Sequence, residues 1–256
     1  MLFKIGVNTI AASLGRAVGS VLALFSVALM TRALGVEGFG EYATIIAYLT
    51  TFQILADLGL YSLFTREISQ SPSRERELLS IFFTLRLLAG AFLLALAVGL
   101  VFFFPYSHNV QIGVALASFG FLAISLTQLF MGVFQTRVAV YKAAIAEILG
   151  RAAQLGLVAI FFWQGGGLLS FVAALIISSF VIFFANLFFA WRIIPFRLAL
   201  PLPEARRIMR TAIPIAVSII FTLLYFRMDT LMLSVMKGPA EVGLYSGAYK
   251  VLETFI

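Results

Sequence analysis

Eight charged residues lie inside long apolar stretches of this sequence, where an ionisable side chain is costly and often marks a transport pathway or a buried ion pair. Five are basic and three are acidic: Arg16, Arg86, Arg151, Arg227 and Lys250, and Asp57, Glu147 and Asp229. Guanidinium groups present forked hydrogen-bond donors that match the oxygens of phosphate groups. The basic set therefore predicts a site for an anionic group, whereas each acidic residue either pairs with a base or carries a coupling ion.

Five of these residues are expected at nearly the same depth in a membrane. At a rise of about 1.5 Å per residue, Arg16, Arg86 and Arg151 lie roughly 10–12 Å from one membrane surface. Asp57 and Glu147 lie slightly nearer that surface, at roughly 6–9 Å. Because lipid offers these charges no partner, we expect them to converge on the interior of a helix bundle. A second interpretation stays open for each base, in which it extends toward the surface and is neutralised by an acid.

The spacing around two of the arginines indicates different environments. Positions i+3, i+4 and i+7 from Arg16 hold a glycine, a serine and an alanine. A face of such small residues predicts contact with other helices or with a water-filled cavity. Glu147 precedes Arg151 by four residues, which is the favourable order for an ion pair within one helix. A structural pair is therefore preferred to a ligand site at this second position.

A further group of charges is expected nearer the opposite membrane surface. Residues two apart on a helix point about 200° apart, so Arg227 and Asp229 cannot share one face. We expect Arg227 to face a cavity, with Lys250 either as its companion or as the partner of Asp229. For the acidic residues, proton coupling, sodium coupling and simple charge pairing all stay open.

The composition of the chain indicates what kind of protein positions these charges. Of its 256 residues, 62% are hydrophobic, 18 are Lys or Arg and 11 are Asp or Glu. A soluble domain is about 45–50% apolar and about 25% charged, so a water-soluble enzyme is excluded. The basic residues are spread over short connections, which argues against a nucleic-acid surface. Because there is no cysteine, disulfides and thiolate metal sites are also excluded.

Long apolar stretches predict an all-α membrane helix bundle. Residues 87–136 and 152–191 contain no Lys, Arg, Asp or Glu, and each is long enough for two spans of about 20 residues. We expect turns near 105–109 and 164–167. The predicted spans cover residues 8–31, 40–63, 79–104, 111–135, 143–163, 168–192 and 211–236, and an eighth begins near 242.

The distribution of basic residues predicts the orientation of these spans. Eleven Lys and Arg residues fall on the side of the N-terminus, whereas Arg32 and Lys237 fall on the other side. Cytoplasmic loops are enriched in Lys and Arg. We therefore expect a multi-pass protein of the cell inner (cytoplasmic) membrane with its N-terminus in the cytoplasm.

An internal repeat predicts the domain organisation. The sequence GEYA at 40–43, which opens the second span, is matched by GLYS at 243–246, which opens the eighth span. The offset is 203 residues, and six spans per copy give a parallel repeat of the kind that transporters use. We expect residues 1–206 to form a six-helix lobe, residues 193–206 to include an extended linker, and residues 207–256 to begin a second lobe. The chain is then expected to be a fragment of a protein about twice as long.

Three segments carry a resemblance to a known family. The segment TRALGVEGFGEY at 31–42 resembles the first outer loop of the polysaccharide flippases. The sequence DLGL at 57–60, followed by RE at 66–67, resembles the end of their second span, and residues 227–245 resemble their seventh and eighth helices. The chain is similar to the oligosaccharide flippases of the multidrug/oligosaccharidyl-lipid/polysaccharide (MOP) exporter superfamily. Members of that family have twelve to fourteen spans, so the resemblance implies that most of the second lobe is missing here.

The resemblance implies a transporter without enzymatic activity or a resident cofactor. Its partners would be the bilayer, a lipid-linked oligosaccharide and the glycan polymerase machinery, and its basic residues would bind the lipid diphosphate while two lobes alternate access. Two alternatives within the superfamily are a multidrug exporter, whose cavity should be acidic, and a lipid II exporter. A membrane-embedded glycosyltransferase would need a large aqueous loop, which this sequence lacks. A non-transporting membrane fragment is the remaining alternative.

Overall fold

The computed structural model describes the backbone of residues 2–255 and the side chains of residues 12–218, 221, 229, 230 and 232–249. This described part consists of helices and contains no strand, which confirms the predicted all-α fold. Two 3-10 turns, Pro72–Arg74 and Val101–Phe103, flank the third helix. The α-helices are α1 (Leu2–Asp57), α2 (Leu60–Gln70), α3 (Glu75–Leu100), α4 (His108–Thr136), α5 (Val140–Trp163), α6 (Leu168–Ile193), α7 (Leu202–Met236) and α8 (Pro239–Phe255).

Five stretches of the described residues are long and apolar enough to cross a membrane. They are Ala12–Gln70, Pro72–Phe103, His108–Thr136, Val140–Trp163 and Leu168–Ile193. The first stretch, of 59 residues, contains the first predicted span from Ala12 onward and the whole of the second, and the other four match spans three to six. Predicted spans seven and eight lie in α7 and α8, where several side chains are outside the described part of the chain.

Short turns join helices α3 to α6, so these helices alternate in direction and give the bundle two ends. The basic end carries Pro72–Arg74, residues 137–139 and residues 194–201. The far end carries residues 104–107 and 164–167. The predicted turns near 105–109 and 164–167 are thus confirmed, except that α4 begins at His108, where the Ser107 hydroxyl accepts a hydrogen bond from the amide of Val110.

The first connection differs from the predicted loop at 32–39. Residues 2–34 and 36–57 are both helical and are separated only by Gly35, whose φ of 68° and ψ of −175° are not helical. A positive φ is costly for residues with a Cβ, and glycine adopts it freely. A single glycine therefore makes the connection that we expected of an eight-residue loop.

The second predicted span is also interrupted. The prediction of one helix over 40–63 is wrong, because α1 ends at Asp57 and α2 begins at Leu60. Leu58 and Gly59 between them have φ values of 48° and 72°. A Cβ on Gly59 would lie 2.6 Å from the side chain of Ile215 in α7, so glycine is needed here for space as well as for conformation.

Two clusters of buried apolar side chains fill the bundle, one toward each end. The cluster at the far end includes Tyr48 and Phe121, and the Tyr48 hydroxyl donates to the carbonyl of Ala97 at 2.8 Å. The cluster at the basic end includes Phe64 and Phe82, which are fully buried. Buried polar side chains of α3 and α4 lie between the two clusters, at the level that the sequence predicted for the inner group of charges.

An extended segment connects α6 to α7 at the basic end. Its backbone is held against α3, since the amide of Arg197 donates to the Ser80 hydroxyl at 3.3 Å and the amide of Ala199 donates to the Thr84 hydroxyl at 3.0 Å. The segment covers 194–201 and is shorter than predicted, because α7 begins at Leu202 with proline in its first turn, where the missing amide donor costs nothing. The division into lobes 1–206 and 207–256 stays a prediction.

Candidate functional site

A cavity of about 750 Å³ opens in the half of the bundle nearer the basic end. Residues of α1, α2, α4, α5 and α6 line it. Much of the lining is apolar, and charged groups enter it from α1 and α5: Arg16, Glu147 and Arg151. Hydroxyl and amide side chains complete the polar part: Ser20, Tyr61, Thr127, Gln128 and Asn186. We refer to this space as the arginine cavity.

The small residues of α1 line this cavity, as the sequence predicted. Gly19, Ser20 and Ala23, at i+3, i+4 and i+7 from Arg16, all line it. A Cβ on Gly19 would lie 3.5 Å from the Cγ atom of Glu147, so this face of α1 lies next to the charged residues of α5. The predicted small face therefore lies against both a neighbouring helix and a cavity.

Arg16 lines the cavity and has no partner among the residues that the structure describes. Its side chain is exposed and lines the cavity. It makes no hydrogen bond or ion pair with any residue that the structure describes. A guanidinium group with free forked donors beside apolar walls is suited to bind an anion, because the low dielectric of such walls strengthens its attraction for opposite charge.

Arg151 lies on the same cavity, and it is paired. Its Nε atom donates to Glu147 Oε1 at 2.8 Å, and its Nη1 atom donates to Gln154 Oε1 at 3.1 Å. The pairing of Glu147 with Arg151, which the i, i+4 spacing favoured, is thus present. Both side chains stay partly exposed, at 38% and 36%. Together with Arg16, the cavity carries two positive charges and one negative charge, so its net charge is +1.

Arg86 lies elsewhere, although we expected it to join Arg16 and Arg151. Its side chain is fully buried, with Nη2 2.7 Å from Asp57 Oδ1, and it does not line the cavity. Its Nε atom donates to the Ser125 hydroxyl at 3.1 Å. A charge excluded from water needs an opposite charge and hydrogen bonds. Asp57 supplies the charge and Ser125 supplies one hydrogen bond, while Nη1 of Arg86 has no hydrogen-bond partner among the described residues. Arg86 is therefore left out of the candidate site.

Gln128 is a residue of the site that the sequence analysis missed. It lines the arginine cavity, and its Oε1 atom accepts a hydrogen bond from Nη2 of buried Arg86. It therefore connects the cavity surface with the ion pair behind it. The signal was available, because Gln128 and Asn186 are amides in the charge-free stretches at the depth of the predicted charges.

The second group of predicted charges is only partly described. The side chains of Arg227 and Lys250 lie outside the described residues. Asp229 accepts hydrogen bonds from the backbone amide of Thr230, at 2.7 Å, and from the hydroxyl of Tyr245. Asp229 thus connects α7 to α8, and its pairing with Lys250 stays a prediction.

A network of exposed ion pairs surrounds the start of α7 at the basic end. Arg207 lies 3.2 Å from Glu67 of α2 and 3.0 Å from Glu204. Arg74, in the turn before α3, lies 3.1 Å from Glu204 and 2.9 Å from Glu77. The hydrogen bonds from Arg207 and Arg74 hold the pKa of the Glu204 carboxyl below its ordinary value. The network joins α7 to α2 and to the turn before α3.

Several solved structures share this fold at low sequence identity. An outward-facing multidrug resistance MATE family transporter of the MOP superfamily has a TM-score of 0.68 at 16% identity, over 98% of this chain and 60% of that chain. A MATE protein in complex with Br-NRF has a TM-score of 0.64 at 16% identity, over 98% and 63% of the two chains. A MOP superfamily transporter from Pyrococcus furiosus has a TM-score of 0.65 at 15% identity, over 98% and 60%. The chain therefore spans less than two thirds of the length of these transporters.

Sequence comparison identifies the family. No protein of curated function matches the chain. The family described as polysaccharide biosynthesis protein matches residues 5–255. This match supports the resemblance to polysaccharide flippases, and the chain shares the fold of the MOP superfamily transporters to which it is similar. The chain belongs to the polysaccharide biosynthesis protein family.

Proposed function

We propose that this protein is a flippase that moves a lipid-diphosphate-linked oligosaccharide from the cytoplasmic to the outer leaflet of the inner membrane. The observation that carries the proposal is the guanidinium of Arg16, which has no partner among the described residues and lines a net positive, partly apolar cavity. The family's description, polysaccharide biosynthesis protein, supports a glycan precursor as the substrate. The chain spans about three-fifths of the similar transporters, so the activity of the whole transporter belongs to the proposal.

Each part of such a substrate has a chemical counterpart in the arginine cavity. Arg16 offers forked donors to the diphosphate, and Arg151 lies on the same surface. The amides of Gln128 and Asn186 and the hydroxyl of Thr127 suit sugar hydroxyl groups, because each can donate or accept a hydrogen bond. The lipid tail stays in the bilayer while the polar headgroup crosses. Translocation needs binding and release, and no covalent bond is made or broken.

The orientation and the energy source are parts of the same proposal. The basic end would face the cytoplasm, because it carries most of the Lys and Arg residues that connect the spans. The arginine cavity would then be open to a substrate assembled on the cytoplasmic side. Rocking of two lobes would exchange access between the leaflets. A proton or sodium ion coupled through Asp57 or Glu147, and association with a glycan polymerase, remain expectations.

The polarity of the cavity distinguishes this proposal from multidrug export. A cavity for cationic drugs should be acidic, whereas Arg16, Glu147 and Arg151 sum to +1. The Pyrococcus furiosus transporter with this fold is described by a reverse polarity of its binding pocket that suggests a different function. We take the positive sign here as support for an anionic substrate. Lipid II carries the same diphosphate chemistry and is separated from other glycans only by its sugars.

Binding of two probes to the purified full-length protein tests the proposal. A fluorescent polyprenyl diphosphate should bind, and a lipophilic cation such as tetraphenylphosphonium should not compete with it. Hydrogen bonds to charged groups contribute about 1.5–3 kcal/mol, so Arg16→Ala should weaken diphosphate binding roughly tenfold to a hundredfold. Arg32→Ala, which removes an exposed arginine of α1 outside the cavity, is the matched control and should leave binding unchanged.

Surface glycan in cells provides the second readout. Arg16→Ala should abolish surface glycan at unchanged membrane abundance, while Arg32→Ala should support normal glycan. Normal glycan with Arg16→Ala, or binding of the cationic probe in preference to the diphosphate, would overturn the proposal. Normal binding combined with an absence of lipid translocation in vesicles would identify a non-transporting binding protein instead.

A further inference from the structure

The two copies of the internal repeat contact each other at their matched glycines. Gly40 in α1 and Gly243 in α8 are separated by the repeat offset of 203 residues, and both are buried. A Cβ placed on Gly243 would lie 3.1 Å from the amide nitrogen of Gly40 and 3.3 Å from its Cα atom. The two helices therefore cross with their backbones in direct contact, which only small residues permit.

The contact is reciprocal around this pair. A Cβ on Gly40 would lie 1.7 Å from the carbonyl oxygen of Pro239, and a Cβ on Gly243 would lie 2.4 Å from the carbonyl oxygen of Val36. Val36 and Pro239 are also 203 residues apart. Each glycine thus meets the carbonyl of the residue four positions before the other glycine. Such mutual exchange is the property of a two-fold contact, so a local two-fold axis passes between Gly40 and Gly243.

Buried side chains and hydrogen bonds surround the glycine pair at the far end, and we refer to this region as the closed surface. Phe39 and Val242, again 203 residues apart, are 5% and 1% exposed. The hydroxyls of Tyr106 and Ser234 lie 2.8 Å apart and connect the turn before α4 to the end of α7. Ser107 donates to the Glu41 carboxylate beside them. Contacts on both sides of the crossing therefore bring α1, α4, α7 and α8 together at this end, opposite the arginine cavity.

We infer that the crossing of Gly40 and Gly243 is the contact that closes the far end of the transport pathway, and that this end opens by separation of the two backbones. The inference rests on the proposed alternating access, in which a cavity at one end requires a closed contact at the other. Two glycine surfaces can part and meet again because no side chains interlock between them. A larger side chain at either position would collide with backbone and hold the two helices apart.

Single cysteines can report the state of each end, because the sequence has no cysteine of its own. Val242→Cys places a thiol in the closed surface, where the side chain is 1% exposed. Ser20→Cys places a thiol on the arginine cavity, where the side chain is exposed. A membrane-impermeant maleimide applied to the full-length protein in detergent then measures access to each position as a labelling rate.

Gly40→Val and Gly243→Val are the test variants, and Gly99→Val and Gly156→Val are the matched controls. The control glycines also lie in helices, α3 and α5, and a Cβ on either meets nothing within 4 Å. The test variants should raise the labelling rate at Val242→Cys by roughly tenfold or more and lower the rate at Ser20→Cys. The control variants should change neither rate. Gly40→Ala and Gly243→Ala, which add one methyl group, repeat the test if the valine variants do not accumulate in the membrane.

Three outcomes would overturn the inference. The first is an unchanged labelling rate at Val242→Cys in both valine variants, or in both alanine variants where these replace them. The second is a raised labelling rate at Val242→Cys without a lowered rate at Ser20→Cys, because such a result would mean that the substitution disturbs local packing and that the two ends are not coupled. The third is the same response in the Gly99→Val control. The labelling experiment requires no substrate. If Arg16→Ala did not affect surface glycan, the proposed function would be rejected, while the labelling rates would still test the contact of Gly40 with Gly243.

Discussion

Arg16 and Arg86 are the same residue type at the same predicted depth, and the structure places them in opposite environments. Arg16 lines a cavity and has no partner among the described residues, whereas Arg86 is fully buried beside Asp57. The difference comes from their neighbours. Small residues beside Arg16 line an open space, while Arg86 lies between the two clusters of buried apolar side chains, with a carboxylate and a hydroxyl within reach. Depth alone therefore does not distinguish a ligand site from a structural ion pair.

The largest effect is expected from Arg86→Ala. Removing one member of a buried pair leaves the Asp57 charge uncompensated, which costs about 3–5 kcal/mol. We expect a strong loss of membrane abundance and of thermal stability in detergent, measured by fluorescence-detected unfolding. Arg16→Ala should leave both unchanged. The double variant Asp57→Asn with Arg86→Gln should be more stable than Arg86→Ala, and equal losses for Arg16→Ala and Arg86→Ala would contradict the assigned difference.

Arg16→Glu should reverse the charge of the cavity without unfolding the protein. The net charge of residues 16, 147 and 151 changes from +1 to −1. We expect binding of the polyprenyl diphosphate to fall by at least roughly a hundredfold, since a favourable charged contact becomes repulsive. Titration at low and high salt measures this. If the neutral substitution Arg16→Gln weakened diphosphate binding equally, the sign of the charge at residue 16 would not determine binding.

A smaller effect in the opposite direction is expected from Glu147→Gln. The substitution removes the carboxylate that holds Arg151 at 2.8 Å and raises the cavity charge from +1 to +2. Binding of the polyprenyl diphosphate should become several-fold tighter at low ionic strength, and salt should reduce the gain. Stability should change by less than about 0.5 kcal/mol, because the pair is an i, i+4 contact on a partly exposed face. Weaker diphosphate binding by Glu147→Gln would contradict this expectation and would indicate that the Glu147 carboxylate contacts the ligand.

The smallest effect is expected at the exposed network around Glu204. Its folded-state pKa is lowered, first by the hydrogen bond from Arg207, so its stabilising contribution is present above the ordinary pKa of glutamate, about 4.3. That contribution is lost as the pH falls through the folded-state value. The unfolding temperature of the parent protein should fall between pH 6 and pH 3, and Glu204→Gln should make this fall slightly smaller. The corresponding difference in the free energy of unfolding should be less than about 1 kcal/mol.

The sequence predicts the helices well and the interruptions poorly. Charge-free stretches locate α3 to α6 within a few residues, because a span must be apolar over its whole length. The breaks at Gly35 and at Leu58–Gly59 depend on backbone conformation, and Gly59 is also required by Ile215, which is 156 residues away in the chain. No local pattern contains that information.

The candidate site shows the same division. The small face beside Arg16 and the spacing of Glu147 and Arg151 predict their surroundings, because both are properties of one helix. The pairing of Asp57 with Arg86 joins two helices, and depth could not decide whether Asp57 would pair with Arg86 or with Arg16. The reciprocal contact of Gly40 and Gly243 was implicit in the repeat, but only the structure shows that the matched positions touch.

The extended segment before α7 limits how far the last two helices can travel. The amide of Ala199 is bonded to the Thr84 hydroxyl, and α7 begins at Leu202. The three residue steps from Ala199 to Leu202 reach at most about 11 Å when fully stretched. While that bond holds, the base of α7 cannot drift away from α3, and any large displacement of α7 and α8 must be a swing about this tethered point.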